Sequence, residues 1–411
     1  MKKVFLLTEA FPAPNVEQFL QAEIAFGASN CNLVIIPIST YNTAEKHIAL
    51  PENVRVDYSL ITETNRKKHR YINSLCLCSM RLYCEVPSIM CRIKHVETIL
   101  YQALRWIYYG RRAYRYISKA YAADLSDPKN PPVVYAYWLA AQAVAASELK
   151  KKFPHIHAIA RCHGYDCQPQ RHEGNYIATL RYTIRHLDAL YPVSQYSAST
   201  VSVFNTHGTK CKVAYLGTND HGVIPLKEHQ PFTIVSCSSC IEVKRIDLLI
   251  KALSLIKGHD IHWIHIGAGP LMADLKELAA SVFGANITYD FKGAMLHEDV
   301  MRFYSQHYAH LFINTSSSEG MSVSIMEALS FGLPVLATDA GGNKEGVIDD
   351  HNGYIVPVDC SSETLSEYIN KMIDLPTERI IDFKKNSRTL WTARFSAKNN
   401  YESFYHEVLD F

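Results

Sequence analysis

Nowhere in its 411 residues does the chain carry a run of about 18 apolar residues, so no segment reads as a membrane-spanning helix. An excess of one charge is also missing. Lys and Arg number 42 against 40 Asp and Glu, a net +2, which gives no global case for a nucleic-acid partner. The eleven cysteines are odd in number and scattered. Cys76-x-Cys78 and Cys237-x-x-Cys240 lack histidine or cysteine partners at zinc-like spacing, which argues against a metal knuckle and for a reduced, cytoplasmic protein. The start, MKKVFLLTEAFP, has two lysines and an apolar run. That run is too short for a secretory segment and is followed by Thr8 and Glu9, so it reads as a first buried strand.

What is present is a repeated alternation of short apolar runs with amphipathic segments, the pattern of βαβ units and parallel sheets. In the first half strands are expected at 3–7, 33–37, 133–136, 157–161 and 189–193, and helices at 16–28, 138–152 and 195–205, the last with Ser194 as N-cap. In the second half strands are expected at 233–237, 261–266, 287–291, 311–314 and 335–338, with helices at 245–256, 270–283, 298–306 and 321–331. Each half has the size of one doubly wound domain, giving an expected division at 1–216 and 217–396 and a final amphipathic helix at 397–411 that returns toward the first domain.

Residues 66–123 break the rhythm with long helical stretches. They hold twelve basic residues, including Arg111, Arg112 and Arg115, against Glu85 and Glu97, a local net of +10. Tyr101, Trp106, Tyr108, Tyr109, Tyr114, Tyr116 and Tyr121 interleave with them. The mixture suits an anionic membrane surface and suits equally a helical insertion whose aromatics pack on the domain.

The densest chemistry lies in SSSEGMSVSIMEALSFGLPVLATDAGG. Glu319 and Glu327 are separated by a little over two turns of an expected helix, so both can face one ligand. Amides of Gly320, Met321 and Ser322 would open that helix, where an anionic phosphate is favoured. The strand at 311–314 feeds this loop, which places it at the carboxyl end of a parallel strand, where open α/β sheets bind ligands. A carboxylate for sugar or ribose hydroxyls beside an amide cradle suggests a nucleotide-sugar site.

The segment SSSEGMSVSIMEALSFGLPVLATDAGGNKEGV resembles the signature of the group 1 (family 4) retaining nucleotide-sugar glycosyltransferases. The resemblance implies an α/β GT-B architecture, two Rossmann-like domains facing across a cleft, with 66–123 as a helical insertion in the N-terminal one. It implies that Glu319 touches the donor sugar, Glu327 binds the ribose, and Gly320, Met321 and Ser322 hold the diphosphate. SCSSCIEVKRIDLLIKAL is similar to the family's phosphate-binding turn, with Lys244 as the phosphate cation. Ser239 stands where many members have arginine, which leaves Arg245 to supply a second charge. HIGAGP resembles the Gly-x-Gly-Pro turn, so Gly267 and Gly269 are expected near the nucleotide. In ARCHGYD, His163 is expected to approach the donor sugar, with Asp166 on the acceptor side. FPAPNVEQF resembles the first acceptor loop, carrying Asn15 and Glu17.

The activity so implied is transfer of a sugar from a nucleotide diphosphate donor, UDP- or GDP-linked, to a hydroxyl of a glycan or lipid-linked glycan, as in assembly of a surface polysaccharide at the inner face of the cytoplasmic membrane. A GT-B epimerase or a non-catalytic sugar-nucleotide-binding protein would share the fold. The resemblance implies no cofactor and no metal, and the chain has no Asp-x-Asp motif.

Overall fold

The computed structural model describes residues 1–13, 17, 19–39, 48–61, 80–224 and 231–411. Asn15, Arg66, Lys67, Lys68, Arg70, Cys76 and Cys78 lie outside the described residues. Short continuous apolar runs form strands that are covered on both faces, because each exposed apolar side chain forfeits burial free energy. In the first sheet these are β1 (Lys3–Thr8), β2 (Asn32–Pro37), β3 (Arg55–Val56), β4 (Val133–Ala136), β5 (His157–Cys162), β6 (Ala189–Pro192) and β7 (Lys210–Cys211). Val4 to Leu7 of β1 and all of β4 are fully buried. All pairings are parallel and the order is β3-β2-β1-β4-β5-β6-β7.

The second sheet contains β8 (Phe232–Cys237), β9 (Ile261–Ile266), β10 (Ile287–Gly293), β11 (Leu311–Asn314), β12 (Val335–Thr338) and β13 (Gly353–Val356). It is also parallel throughout, ordered β10-β9-β8-β11-β12-β13. Its core is centred on Trp263, fully buried, whose indole N–H donates to Ser236 Oγ at 3.0 Å. Two compact units result: Met1–Tyr215 with Asn400–Phe411, and Leu216–Asn399. Within the first, Phe404 of the last helix (Ala397–Leu409) packs 5.3 Å from Tyr135 and lies 4.2 Å from the Arg161 guanidinium.

Several expected helix starts shift, three of them on elements that carry site residues or border them. The helix expected at 16–28 runs Leu20–Asn30, and Glu17 has φ 52°, outside helical space, so it is not a first-turn glutamate. The helix expected at 138–152 begins at Ala141. The glutamate helix is Val323–Ser330, preceded by Ser322, so Glu319 stands in the preceding loop and the helical-phase argument for the pair does not apply. Ser194 does cap its helix, accepting from the Ser197 amide at 3.0 Å.

The basic, aromatic region contains one 25-residue helix, Val96–Ala120. Trp106 and Tyr121 are buried, Tyr109, Tyr114 and Tyr116 pack against the first core, and Tyr116 and Tyr121 both donate to Asp57 Oδ2. Arg81 is buried on Thr183, Ser147 and Glu148, and Arg112 donates to the Leu60 carbonyl at 2.6 Å. Most of these aromatics therefore serve packing, whereas Tyr101 is 57% exposed.

Candidate functional site

In the second unit the chain order reverses at β8 and β11, which are neighbours in the sheet but not in sequence. The crevice at the carboxyl ends of such a strand pair is where doubly wound sheets bind ligands. Loops from both strands are tied together there. Thr315 Oγ1 donates to the carbonyls of Lys244 and Arg245 at 2.9 and 3.0 Å, and the Ser317 amide donates to Val243 at 2.8 Å. Lys244 Nζ thereby lies 2.5 Å from Glu319 Oε1, which also accepts from Ser316 Oγ at 2.7 Å. Ser316 is itself fixed, its amide on Asn314 Oδ1 and its carbonyl on Thr338 Oγ1.

Glu327, on the second turn of its helix, accepts from His297 Nε2 at 3.0 Å and is 5% exposed. Burial alone would lower the His297 pKa, but the hydrogen bond and the charge of Glu327 outweigh it and hold the imidazole above its ordinary value. Cys237, at the end of β8, has its thiol pKa pushed up by burial and by the nearby Glu327 charge, so the thiol stays protonated. The cluster thus contains two buried carboxylates, each held by one cationic or protonatable partner, next to the N-terminus of an eight-residue helix. Such an arrangement offers hydroxyl acceptors, a phosphate cation and amide donors in one place.

Arg245 stands at φ 47°, capping the helix Ile246–Ser254, with its Nε on the Thr315 carbonyl at 2.9 Å. Its side chain is committed in part to bracing the two loops. Gly267 and Gly269 have a structural reason to be glycine. A Cβ on Gly267, at φ +143°, would lie 1.8 Å from the Ser238 carbonyl oxygen, and one on Gly269 would lie 2.4 Å from that of Cys240. Their close approach is to the β8 loop.

The first unit has its own reversal at β1 and β4. Glu17, at the end of the β1 loop, accepts the amides of Glu9, Ala10 and Phe11 at 3.0, 2.9 and 2.8 Å and the Trp138 indole N–H at 2.5 Å. Asp166 accepts the amides of His163, Gly164 and Leu139 at 2.8, 3.0 and 2.9 Å. Burial raises the Asp166 pKa, but nearby His163 and these amides prevail and lower it. Both carboxylates clamp loops and have little capacity left for a ligand. His163 sits in an aromatic cluster, its ring centroid 4.2 Å from Trp138 and 4.8 Å from Tyr137, with Nδ1 3.7 Å from Asp166 Oδ2. Arg161 of the same strand is fully buried on Glu23, Tyr135 and Ala214.

Sequence reasoning missed His297, whose position in LHED reads as an ordinary helix start, and it missed Trp138, Gln142 and His172, which no motif marks. Among the described residues no cluster of three or more His, Cys, Asp or Glu side chains is arranged to hold a metal ion, and no helix is long and apolar enough to cross a membrane.

Residues 219–390 match the model of the family "Glycosyl transferases group 1". This segment belongs to that family, and the whole chain has the GT-B fold with two Rossmann-like units. Among similar curated proteins is the GtfA subunit of a UDP-N-acetylglucosamine–peptide N-acetylglucosaminyltransferase from Streptococcus pneumoniae, 28% identical over 173 residues, 41% of this chain and 32% of that one. The chain thus spans about a third of that relative's length. WcaL of Escherichia coli K12, a glycosyltransferase named for colanic acid biosynthesis, is 24% identical over 70% of this chain and 73% of its own. Sucrose-phosphate synthase from Thermosynechococcus elongatus superposes with a TM-score of 0.71 at 15% identity, covering 100% of both chains. Anabaena Alr3699/HepE in complex with UDP-glucose gives 0.68 at 14% identity, again over 100% of both.

Proposed function

We propose that the protein is a retaining glycosyltransferase that moves a sugar from a nucleotide diphosphate donor to a hydroxyl of a glycan acceptor. One observation carries the reading: at the β8–β11 reversal, within the family-matched segment, Lys244 pairs with Glu319 and His297 with Glu327. These carboxylates are held by side chains that a ligand can displace. On donor binding Lys244 moves its charge from Glu319 to the diphosphate, and Glu319 is released to take sugar hydroxyls. Glu327, oriented by His297, accepts from the ribose hydroxyls. Amides of Gly320, Met321 and Ser322 and the helix dipole stabilise charge on the departing diphosphate. The acceptor oxygen bonds to the anomeric carbon on the face from which the diphosphate leaves. The carbon–oxygen bond to that phosphate breaks, and the hydroxyl proton passes to the leaving phosphate oxygen. His163 binds a donor-sugar hydroxyl. No metal is called on, because Lys244 and the amides carry the phosphate charge.

Relatives named for colanic acid and amylovoran biosynthesis support a role in polysaccharide assembly. The acceptor on this reading is a lipid-linked glycan at the cytoplasmic membrane face. The membrane contact on this reading is the basic, aromatic region, through Arg111, Arg112 and exposed Arg115 together with exposed Val86, Met90 and Ile93 beside Lys94. Ile93→Asp should then reduce co-sedimentation with anionic vesicles at low salt, and unchanged binding would remove that contact.

A thermal-shift screen of UDP-, GDP-, ADP- and CMP-sugars tests the donor site. A ligand at 100 times its dissociation constant adds about 2.7 kcal/mol of stability. Selective stabilisation by one class, lost in Glu327→Ala, is expected. Should no sugar nucleotide stabilise the protein, the donor reading fails. Conversion of the nucleotide-sugar to an epimer in the absence of any acceptor would instead indicate an epimerase.

A further inference from the structure

The first unit holds a cavity of about 490 Å³, within the size range of small-ligand pockets. It is bounded by the Val96–Ala120 helix, by the segment after β4, and by residues 165–173. Its walls are of two kinds. Trp138, Tyr101 and Tyr165 present aromatic rings, and Tyr101 and Tyr165 are at least half exposed. Between them stand the polar side chains of Gln102, Gln142 and Arg105.

Two of these polar groups are aimed by their surroundings. His172 Nε2 bonds to the Tyr165 carbonyl, which can only accept, so that nitrogen carries the proton. Its Nδ1 is then an acceptor and accepts a hydrogen bond from the Gln102 amide nitrogen at 2.8 Å. Burial lowers the His172 pKa and keeps the ring in this neutral form. The Gln102 side chain is therefore oriented with its nitrogen on His172 and its carbonyl oxygen turned away from it. Gln142 is only 3% exposed, lines the same cavity, and its Oε1 is buried with no hydrogen-bond partner among the described residues. An unmatched buried acceptor is unfavourable, so a ligand that donates to it relieves that cost.

We propose that this cavity binds a pyranose ring of the acceptor glycan, stacked on an aromatic wall, with its hydroxyls donating to Gln142 and Gln102 and accepting from Arg105. This rests on the glycosyltransferase reading for the word acceptor; the saccharide chemistry rests on the cavity itself. A lipid tail would leave Gln102, Gln142 and Arg105 unsatisfied. A phosphate would meet Glu9, Glu173 and Asp166 on the same walls as Arg105 and Arg171, three carboxylates against two guanidinium groups. A neutral polyhydroxyl ring with apolar C–H faces matches both kinds of wall. Trp138 adjoins His163, so a ring stacked there lies beside the histidine expected at the reacting sugar.

Two of the chain's four tryptophans, Trp106 and Trp138, line this cavity, and emission therefore reports on it. The intact protein is titrated with the methyl glycosides of glucose, galactose, mannose and N-acetylglucosamine, in both anomers, and in parallel with UDP and GDP read by thermal shift. A saturable emission change is expected with at least one glycoside, weakened tenfold or more in Gln142→Leu, while nucleotide stabilisation is unaltered. Arg105→Ala, at an exposed position, serves as the second variant if Gln142→Leu does not fold. No emission change with any glycoside, or a change that both variants leave intact, overturns the proposal. If nucleotides stabilise and no glycoside binds, the cavity proposal alone falls. If glycosides bind and no nucleotide stabilises, the donor reading falls and the saccharide site stands.

Discussion

The two units place carboxylates at equivalent points, beside the carboxyl ends of the strands where the sheet order reverses, yet hold them differently. In the first unit Glu17 and Asp166 each bind three backbone amides. In the second, Glu319 and Glu327 are met by Lys244 and His297. Amides belong to the loop itself and cannot leave without unfolding it. A lysine or histidine side chain can rotate to a ligand. The same residue type is thus a structural clamp in one unit and a candidate binding group in the other, and the partner decides which.

The contrast breaks most visibly at Asp166. Replacing it with Ala frees three buried amides and should cost about 3 kcal/mol of stability, read as a lower urea midpoint. Because its folded pKa is lowered, its contribution is present above the ordinary carboxylate value and is lost as pH falls through the folded value. A midpoint unchanged from wild type would refute the clamp. Glu319→Ala should behave oppositely, with a urea midpoint near wild type and kcat/KM reduced by about 100-fold, about 2.7 kcal/mol. Comparable loss of stability in both variants would erase the distinction.

Glu85 sharpens the comparison, since its cationic and amide supports are too weak to offset its burial. It is 2% exposed and accepts from the Tyr176 hydroxyl, and burial pushes its pKa up to about 7 against the weaker opposing effects of Arg181 and a backbone bond. A raised carboxyl pKa means the unfolded chain releases its proton first, so stability falls as pH rises from about 4.5 to about 7. Glu85→Gln should therefore stabilise the protein by roughly 2 kcal/mol above pH 7 and change little below pH 4.5, as thermal melts across that range would record.

The smallest effect is expected at His297. Its raised pKa gives a stabilising pair with Glu327 that is fully present below the ordinary histidine value and is lost as pH rises through the folded value. His297→Ala should weaken donor binding by about 1 kcal/mol at pH 6 and flatten the alkaline decline of affinity seen in wild type. An unaltered profile would show that Glu327 needs no such partner.

Much of the architecture could be read directly. Apolar runs at 3–7, 133–136, 311–314 and 335–338 mark strands because a strand buried on both faces must be continuously hydrophobic. The edge strands Arg55–Val56 and Lys210–Cys211 were not legible, since two residues carry no period. The glutamate segment stood out through its own composition. Its partner His297 did not, because a histidine thirty positions away becomes a neighbour only when β10, β11 and their helices are in place.

Sequence alone determined the parallel α/β organisation, the location of the glutamate loop after a buried strand, and the residue types in each loop. These depend on local hydrophobic period and turn chemistry, which act over a few residues. Only the tertiary structure decided that Glu319 lies outside its helix, that Glu17 and Asp166 are clamps, that most aromatics of the basic helix are packing residues, and that Gln142 and Trp138 share a cavity. Those outcomes turn on which hydrogen-bond donors converge on a side chain, and convergence is set by contacts between segments far apart in the chain.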